Sequence, residues 1–177
     1  MNRFILPVVI FVALAAVLYV GVRHSPDKSI MMSALLGKPA PEFELPVLGD
    51  ATRKLSSREL AGKPWVLNVW ATWCAQCRIE HQDLLAIAQQ NRVTLVGLDY
   101  KDEDAPAQQW LADLGNPYHV VAVDREGRTA IDFGVYGAPE TFLIGADGRV
   151  QYRHVGAMTD EVWRREFLSR LPPGALQ

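Results

Sequence analysis

The longest apolar run of this chain is also its first. Phe4 to Val22, FILPVVIFVALAAVLYVGV, contains no charged residue. As a helix rising about 1.5 Å per residue, it spans about 28 Å, close to the hydrocarbon thickness of a bilayer. The run therefore predicts one N-terminal transmembrane helix over residues 1–23. A cleaved signal peptide is the competing reading, since Ala13-Leu14-Ala15 has the small-residue spacing of a cleavage site. Against it, Val17–Val22 stays apolar where a polar c-region belongs. Arg3 on one side and Arg23 and Lys28 on the other leave the orientation open.

Beyond this run the pattern changes. Residues 24–36 read as a tether, and the Pro and Gly punctuation of GKPAPEFELPVLGD predicts irregular, extended backbone leading into a domain over 37–172. Inside that domain, short apolar runs alternate with stretches of helical period. PWVLNVWAT, RVTLVGLDY and YHVVAV have strand length and the continuous apolar character of strands buried on both faces. Residues 75–90 and DAPAQQWLADLG read as helices, the latter with Asp104 as N-cap, Pro106 in the first turn and Gly115 as the stop. EGRTAIDFGV predicts a short helix. ETFLIGADGRVQYRHV predicts two strands around a turn at Ala146-Asp147-Gly148. TDEVWRREFLSRL predicts a last helix, capped by Thr159 and ended by Pro172-Pro173, and 173–177 is left as a tail. This alternation makes the fold class α/β, with helices on both faces of a sheet that ends in an antiparallel hairpin.

Composition trims the list of functions. The 177 residues carry a net charge of −2, and Lys and Arg do not cluster, so no nucleic-acid partner is expected. The only two cysteines, Cys74 and Cys77, stand in WATWCAQCRIE, just after the first predicted strand of the alternation. At a helix N-terminus, free backbone N–H groups and the helix dipole favour a thiolate at Cys74. Cys74 can then attack a disulfide, and Cys77, one turn on, can resolve the mixed disulfide. As a mere staple, so short a loop contributes only about 2 kcal/mol. A zinc site lacks a second ligand pair, because His24, His81, His119 and His154 are scattered. Arg78 stands where a haem anchor needs His. No metal or other cofactor is expected beyond a redox-active Cys74–Cys77 disulfide. On a helical wheel Glu80, His81, Leu84, Leu85 and Ala88 lie within about 80° of Cys77. Glu80 is therefore a candidate to set a thiol pKa or accept its proton, and His81 a weaker one.

WATWCAQC, followed some sixty residues later by GAPETFLI, resembles the thioredoxin superfamily. The resemblance implies a thioredoxin-like fold, with a central mixed sheet flanked by helices, and a cis Ala138–Pro139 bond facing the cysteines. GKPAPEFELPVL, LNVWATWCAQCRIEHQDL and GVYGAPETFLIGADGRVQYRHVG together resemble the CcmG/DsbE branch, membrane-anchored periplasmic thiol-disulfide proteins of cytochrome c maturation. That branch implies Cys74 as nucleophile and Cys77 as resolving thiol. It also implies Glu80 and Glu140 as acidic neighbours, and a substrate groove of Trp73, Ala138, Pro139 and Glu140. The expected activity is protein-disulfide reduction. The expected substrates are the haem-binding cysteines of apocytochrome c, or of a chaperone disulfide-linked to it, and a transmembrane thiol donor would supply electrons. The expected location is the bacterial inner membrane, single-pass, with the catalytic domain in the periplasm. The alternatives are a broader periplasmic reductase and a copper-binding assembly module using the cysteines and a histidine. Two positions depart from the wider thioredoxin pattern. Asn68 replaces a buried Asp, which leaves the resolving proton to Glu80, Glu140 or water. Gln82 replaces a kinking Pro, which predicts a straighter helix.

Overall fold

The computed structural model describes residues 5–23 and 34–172. Two compact units divide the chain near Met31. In the first, α1 (Ile5–Arg23) is an apolar helix whose side chains are largely exposed, Phe11 by 73% and Val17 by 72%. Among the described residues no helix is long and apolar enough to cross a membrane. Most of the expected tether, like the tail over 173–177, lies outside the described residues. The last residues assigned to the tether belong to the folded domain: Leu36 bridges Val150 and Leu35 packs on the core.

The second unit is a seven-stranded mixed sheet. Its elements are β1 (Glu44–Val47), β2 (Asp50–Ser56), β3 (Trp65–Trp70), α2 (Ala75–Gln89), β4 (Thr94–Tyr100), α3 (Asp104–Leu114), β5 (Val120–Asp124), α4 (Arg128–Asp132), β6 (Glu140–Ile144) and β7 (Val150–Val155). The strand order is β2-β1-β5-β4-β3-β6-β7. β3, β4 and β5 run parallel, and the outer pairs are antiparallel. β3, inside the sheet between β4 and β6, is buried at every position, as its nearly continuous apolar run requires.

Alternation along the strands separates two cores. Val66 and Trp70 face the layer of α2, α3 and the C-terminal helical segment, with Leu84, Ile87, Trp110, Trp163 and Phe167. Trp65, Leu67 and Val69 face the other side, with Ala130, Phe133, Phe142 and Ile144. A residue's place in a strand thus decides which layer it meets.

Three expectations are corrected. The stretch read as irregular holds the hairpin β1–β2, joined through Leu48-Gly49, with Gly49 at a φ of 82°. Its four-residue first strand is too short, and too interrupted by Pro46, to show a period. The N-cap of α3 is Glu103, because Asp104 has already entered the helix and pairs with Arg125 at 2.6 Å. The last helix is not uniformly α: α5 (Asp160–Val162), capped by Thr159, widens to a π segment over Trp163–Phe167 and tightens to 3-10 over Leu168–Arg170. The widened turns bring both Trp163 and Phe167 into the core, stacked at 5.6 Å. Gly115 ends α3 at a φ of 90°, and α2 runs uninterrupted through Gln82.

Candidate active site

Cys74 is the N-cap of α2, and its Sγ accepts the backbone N–H of Cys77 at 3.1 Å. Sulfur here takes the place of the oxygen that usually satisfies a first-turn N–H. The same N–H favours negative charge on that sulfur. Cys74 and Cys77 form a disulfide with Cα atoms 5.3 Å apart. Both residues are nearly buried, Cys74 at 5% exposure and Cys77 at 2%.

Across from Cys74 the chain enters β6 through a cis Ala138–Pro139 bond. The Ala138 carbonyl oxygen lies 3.3 Å from Cys74 Sγ. Pro139 is buried and Ala138 half-buried, so the loop places backbone, not bulk, beside the sulfur. Trp73 forms the exposed shoulder at 56% exposure, and its indole N–H donates to the Lys101 carbonyl at 3.2 Å. Lys101 adopts a φ of 50°, unusual for a side-chain-bearing residue.

Behind the cysteines lies a buried polar network that the wheel only partly foresees. Glu80 is fully buried rather than bordering solvent. Its carboxylate accepts Asn68 Nδ2–H at 3.0 Å and the Met158 N–H at 2.6 Å. Burial pushes its pKa up to about 7, and the two hydrogen bonds moderate that rise. Asn68 also donates to Thr141 Oγ1 at 3.0 Å and accepts the Tyr118 hydroxyl at 2.7 Å. Asn68, Thr141 and Tyr118 converge from β3, β6 and the approach to β5, so one carboxylate is tied to three parts of the sheet. Tyr118 has no signal in the sequence, because its partner lies 50 residues away.

Glu140 is not part of this network. It pairs with Val69 in the sheet register and shares the face of Phe142 and Ile144, opposite to Asn68 and Thr141. Its carboxylate accepts Arg153 Nε–H at 2.8 Å and the Tyr136 N–H at 2.9 Å. The expectation that Glu140 neighbours the thiols is corrected by strand alternation: one residue beyond Pro139, the side chain turns to the other core. From there it holds the loop before Pro139. His81 is likewise engaged elsewhere. Its Nδ1 accepts the Trp110 indole N–H at 3.3 Å, and its Nε2 lies 2.9 Å from the Gly115 carbonyl oxygen. Burial lowers its pKa, and it pins α2 to α3 as a neutral ring. Among the described residues no group of three or more His, Cys, Asp or Glu is placed to hold a metal ion.

This geometry offers a disulfide with one sulfur at a helix start, where a thiolate is favoured once the bond opens, the second sulfur one turn on, a buried carboxyl one turn further with its pKa pushed up to about 7, and an opposing cis-proline loop. Comparison with known proteins agrees. The Redoxin family profile matches residues 35–167. A thiol:disulfide interchange protein DsbE of Pseudomonas aeruginosa is 43% identical over 163 residues, covering 92% of this chain and 89% of the relative. Its Escherichia coli K12 counterpart is 43% identical over 167 residues, covering 92% and 90%. This chain belongs to the Redoxin family and is of the DsbE type. As a DsbE-type protein it is a thiol-disulfide oxidoreductase. Solved structures show the same architecture. A secreted Mycobacterium tuberculosis disulfide oxidoreductase homologous to Escherichia coli DsbE superposes with a TM-score of 0.61 at 27% identity, covering 70% of this chain and 92% of that one. A secreted thiol-disulfide isomerase of Corynebacterium glutamicum shares the fold, with a TM-score of 0.67 at 23% identity over 80% and 92% of the two chains.

Proposed function

We propose that this DsbE-type protein is a reductase: Cys74 attacks a substrate disulfide, and Cys77 then releases the product by closing the intramolecular disulfide. The observation that carries the direction is the carboxyl of Glu80, buried one turn beyond Cys77 on the thiol face. Once ionised, a negative charge there disfavours the thiolate of the reduced state, which makes the dithiol give up electrons more readily. Glu80 also receives the proton that Cys77 must lose before it attacks the mixed disulfide, a task suited to a group titrating near neutrality.

The substrate in this reading is the cysteine pair of apocytochrome c, or of a chaperone disulfide-linked to it, in cytochrome c maturation. GVYGAPETFLI, with its cis-proline, supports that branch. Haem attachment needs free thiols, and a transmembrane thiol donor would restore the reduced protein. We also propose that the chain is anchored in the bacterial inner membrane, with its catalytic domain in the periplasm. The uncharged run Phe4–Val22 and the exposed apolar side chains of α1 support that reading, since such a surface favours a non-aqueous environment. Resistance to alkaline extraction from membranes tests the anchor, and release into the soluble fraction overturns it.

The deciding experiment is a Cys77→Ser trap in cells. Recovery of apocytochrome c or its chaperone as a mixed disulfide with Cys74 supports the reading. Capture only of other exported proteins replaces it with a broader reductase. An equilibrium potential against glutathione near the oxidant end, about −120 mV, overturns reduction itself.

A further inference from the structure

Asp99 is the one charged residue inside the apolar run of β4, and it is fully buried. Among the described residues neither of its carboxyl oxygens has a hydrogen-bond partner, and the indole N–H of Trp70, its neighbour in the register, has none either. Asp99 pairs with Trp70 in the parallel register, so the two side chains project to the same sheet face. That face carries Asn68, and Trp70 packs in one core cluster with Cys74 and Cys77. An ionised carboxylate without partners is very costly to bury, so the site favours the neutral acid. Burial, aided by Asp102 and Asp104 and opposed by Arg125, pushes the Asp99 pKa up to about 7. Burial pushes the Tyr118 phenol up, and the charges of Glu80 and Asp99 both add to that rise.

We propose that Asp99 is a positioning residue of the dithiol centre: its carboxyl takes up a proton when the Cys74–Cys77 disulfide is reduced, and so couples reducing strength to pH. The step balances as follows. A donor dithiol gives two electrons and two protons and becomes a disulfide. The Cys74–Cys77 bond breaks, Cys77 takes one proton as a thiol, and Cys74 remains a thiolate. Above about pH 7, where Asp99 is ionised in the disulfide form, the new negative charge draws the second proton onto Asp99; below that pH Asp99 already holds a proton and the second one passes to solvent. The titratable and charged groups that act on Asp99 are Asp102 after β4, Asp104 on α3 and Arg125 after β5, and Asp99 in turn acts on Tyr118 before β5; Cys74, Cys77 and Glu80 lie on the same side of the sheet, reached through Trp70 and Asn68. Of these, Arg125 alone is cationic. The inference needs only the oxidoreductase activity and is independent of the substrate's identity.

The test is the redox equilibrium of wild type and Asp99→Asn with glutathione between about pH 5.5 and 8.5. At the acid end Asp99 is neutral in both redox states, and the two equilibria coincide. At the alkaline end the wild-type carboxylate opposes the Cys74 thiolate, so Asp99→Asn is the more easily reduced, by about threefold or more. The difference persists in a Glu80→Gln background, which separates it from the titration of Glu80. A merely structural role shifts both ends alike, so a ratio that does not vary with pH overturns the proposal, as does a difference of opposite sign. Asp99→Ser, smaller and equally uncharged, serves the same comparison if Asp99→Asn does not fold.

Discussion

Asn68 gives one side-chain N–H to Glu80, at 3.0 Å, and this bond joins β3 to the helix of the cysteines. It has an electrostatic consequence. An amide donor favours the carboxylate, yet burial outweighs it and leaves Glu80 near neutrality. A carboxylate in place of Asn68 would repel Glu80 and push one of the pair further toward the neutral form. The amide lets a single acid occupy this position.

Glu80→Gln therefore lowers the pKa of at least one active-site thiol. The sign follows from charge: above about pH 7 wild-type Glu80 is mostly ionised and opposes a thiolate, and below that it is mostly neutral. Thiolate absorbance of the reduced protein, titrated for wild type and variant, should diverge on the alkaline side and converge on the acid side. Superimposable curves would remove Glu80 from the thiol chemistry. Release of a trapped mixed disulfide by Cys77 should also slow, since the variant cannot take the proton.

The two raised carboxyls make stability depend on pH. Folded Glu80 and Asp99 hold their protons to about pH 7, whereas the unfolded chain releases them near 4.5 and 3.8. Between those values the folded state binds more protons, so stability falls as pH rises. Urea unfolding of the oxidised protein should give a lower free energy at pH 8 than at pH 5. Asp99→Asn should recover on the order of 2 kcal/mol of that loss at pH 8 and change little at pH 5. A wild-type stability that rises steadily from pH 5 to 8 contradicts both assignments.

Much of this site is visible in the sequence, for reasons that differ by residue. β3 and α2 declare themselves through a continuous apolar run and a helical stripe, and Cys74 sits at their junction. Pro139 is legible because its neighbours form a long, specific stretch. Glu140 misleads because adjacency in sequence is not adjacency in space: the two-residue period of a strand sends it to the opposite core. Tyr118 is silent because only the closing of β5 against β4, and of β4 against β3, brings its hydroxyl to Asn68. Asp99 had a signal, a charge within a buried strand, whose meaning depended on which face of β4 it occupied.

Arg153 and Glu140 form an almost fully buried pair, 2.7 Å apart, with side-chain exposures of 5% and 1%. Removing one partner leaves the other charged and unpaired. Arg153→Met should thus cost about 3–5 kcal/mol. Pairing it with Glu140→Leu should return much of that loss, because two apolar side chains of similar size tolerate the site. Glu80 lies on the opposite face, so its titration should stay near wild type, whereas the loop before Pro139 loses the hydrogen bonds that link Glu140 to Tyr136 and Arg153 to Gly134. Denaturant unfolding of the two single variants and the double variant measures the coupling, and additive losses would show that the pair does not act as a unit.

Gly97 supplies the space in which the thiol-side network is assembled. A Cβ there would lie 2.9 Å from Trp70 Nε1 and 3.0 Å from the Tyr118 ring. These aromatic rings stack on each other at 5.7 Å, so neither has a free direction in which to withdraw. Gly97→Ala should cost about 1–3 kcal/mol as an overpacked core position. It should also reach the chemistry: displacing Tyr118 weakens its 2.7 Å bond to Asn68, and Asn68 then orients less firmly toward Glu80. The measurable sign is a changed alkaline limb in the thiol titration, in the same direction as Tyr118→Phe, which removes the hydroxyl without crowding. If Gly97→Ala loses stability and its titration stays that of wild type, the aromatic pair supports the fold without tuning the carboxyl.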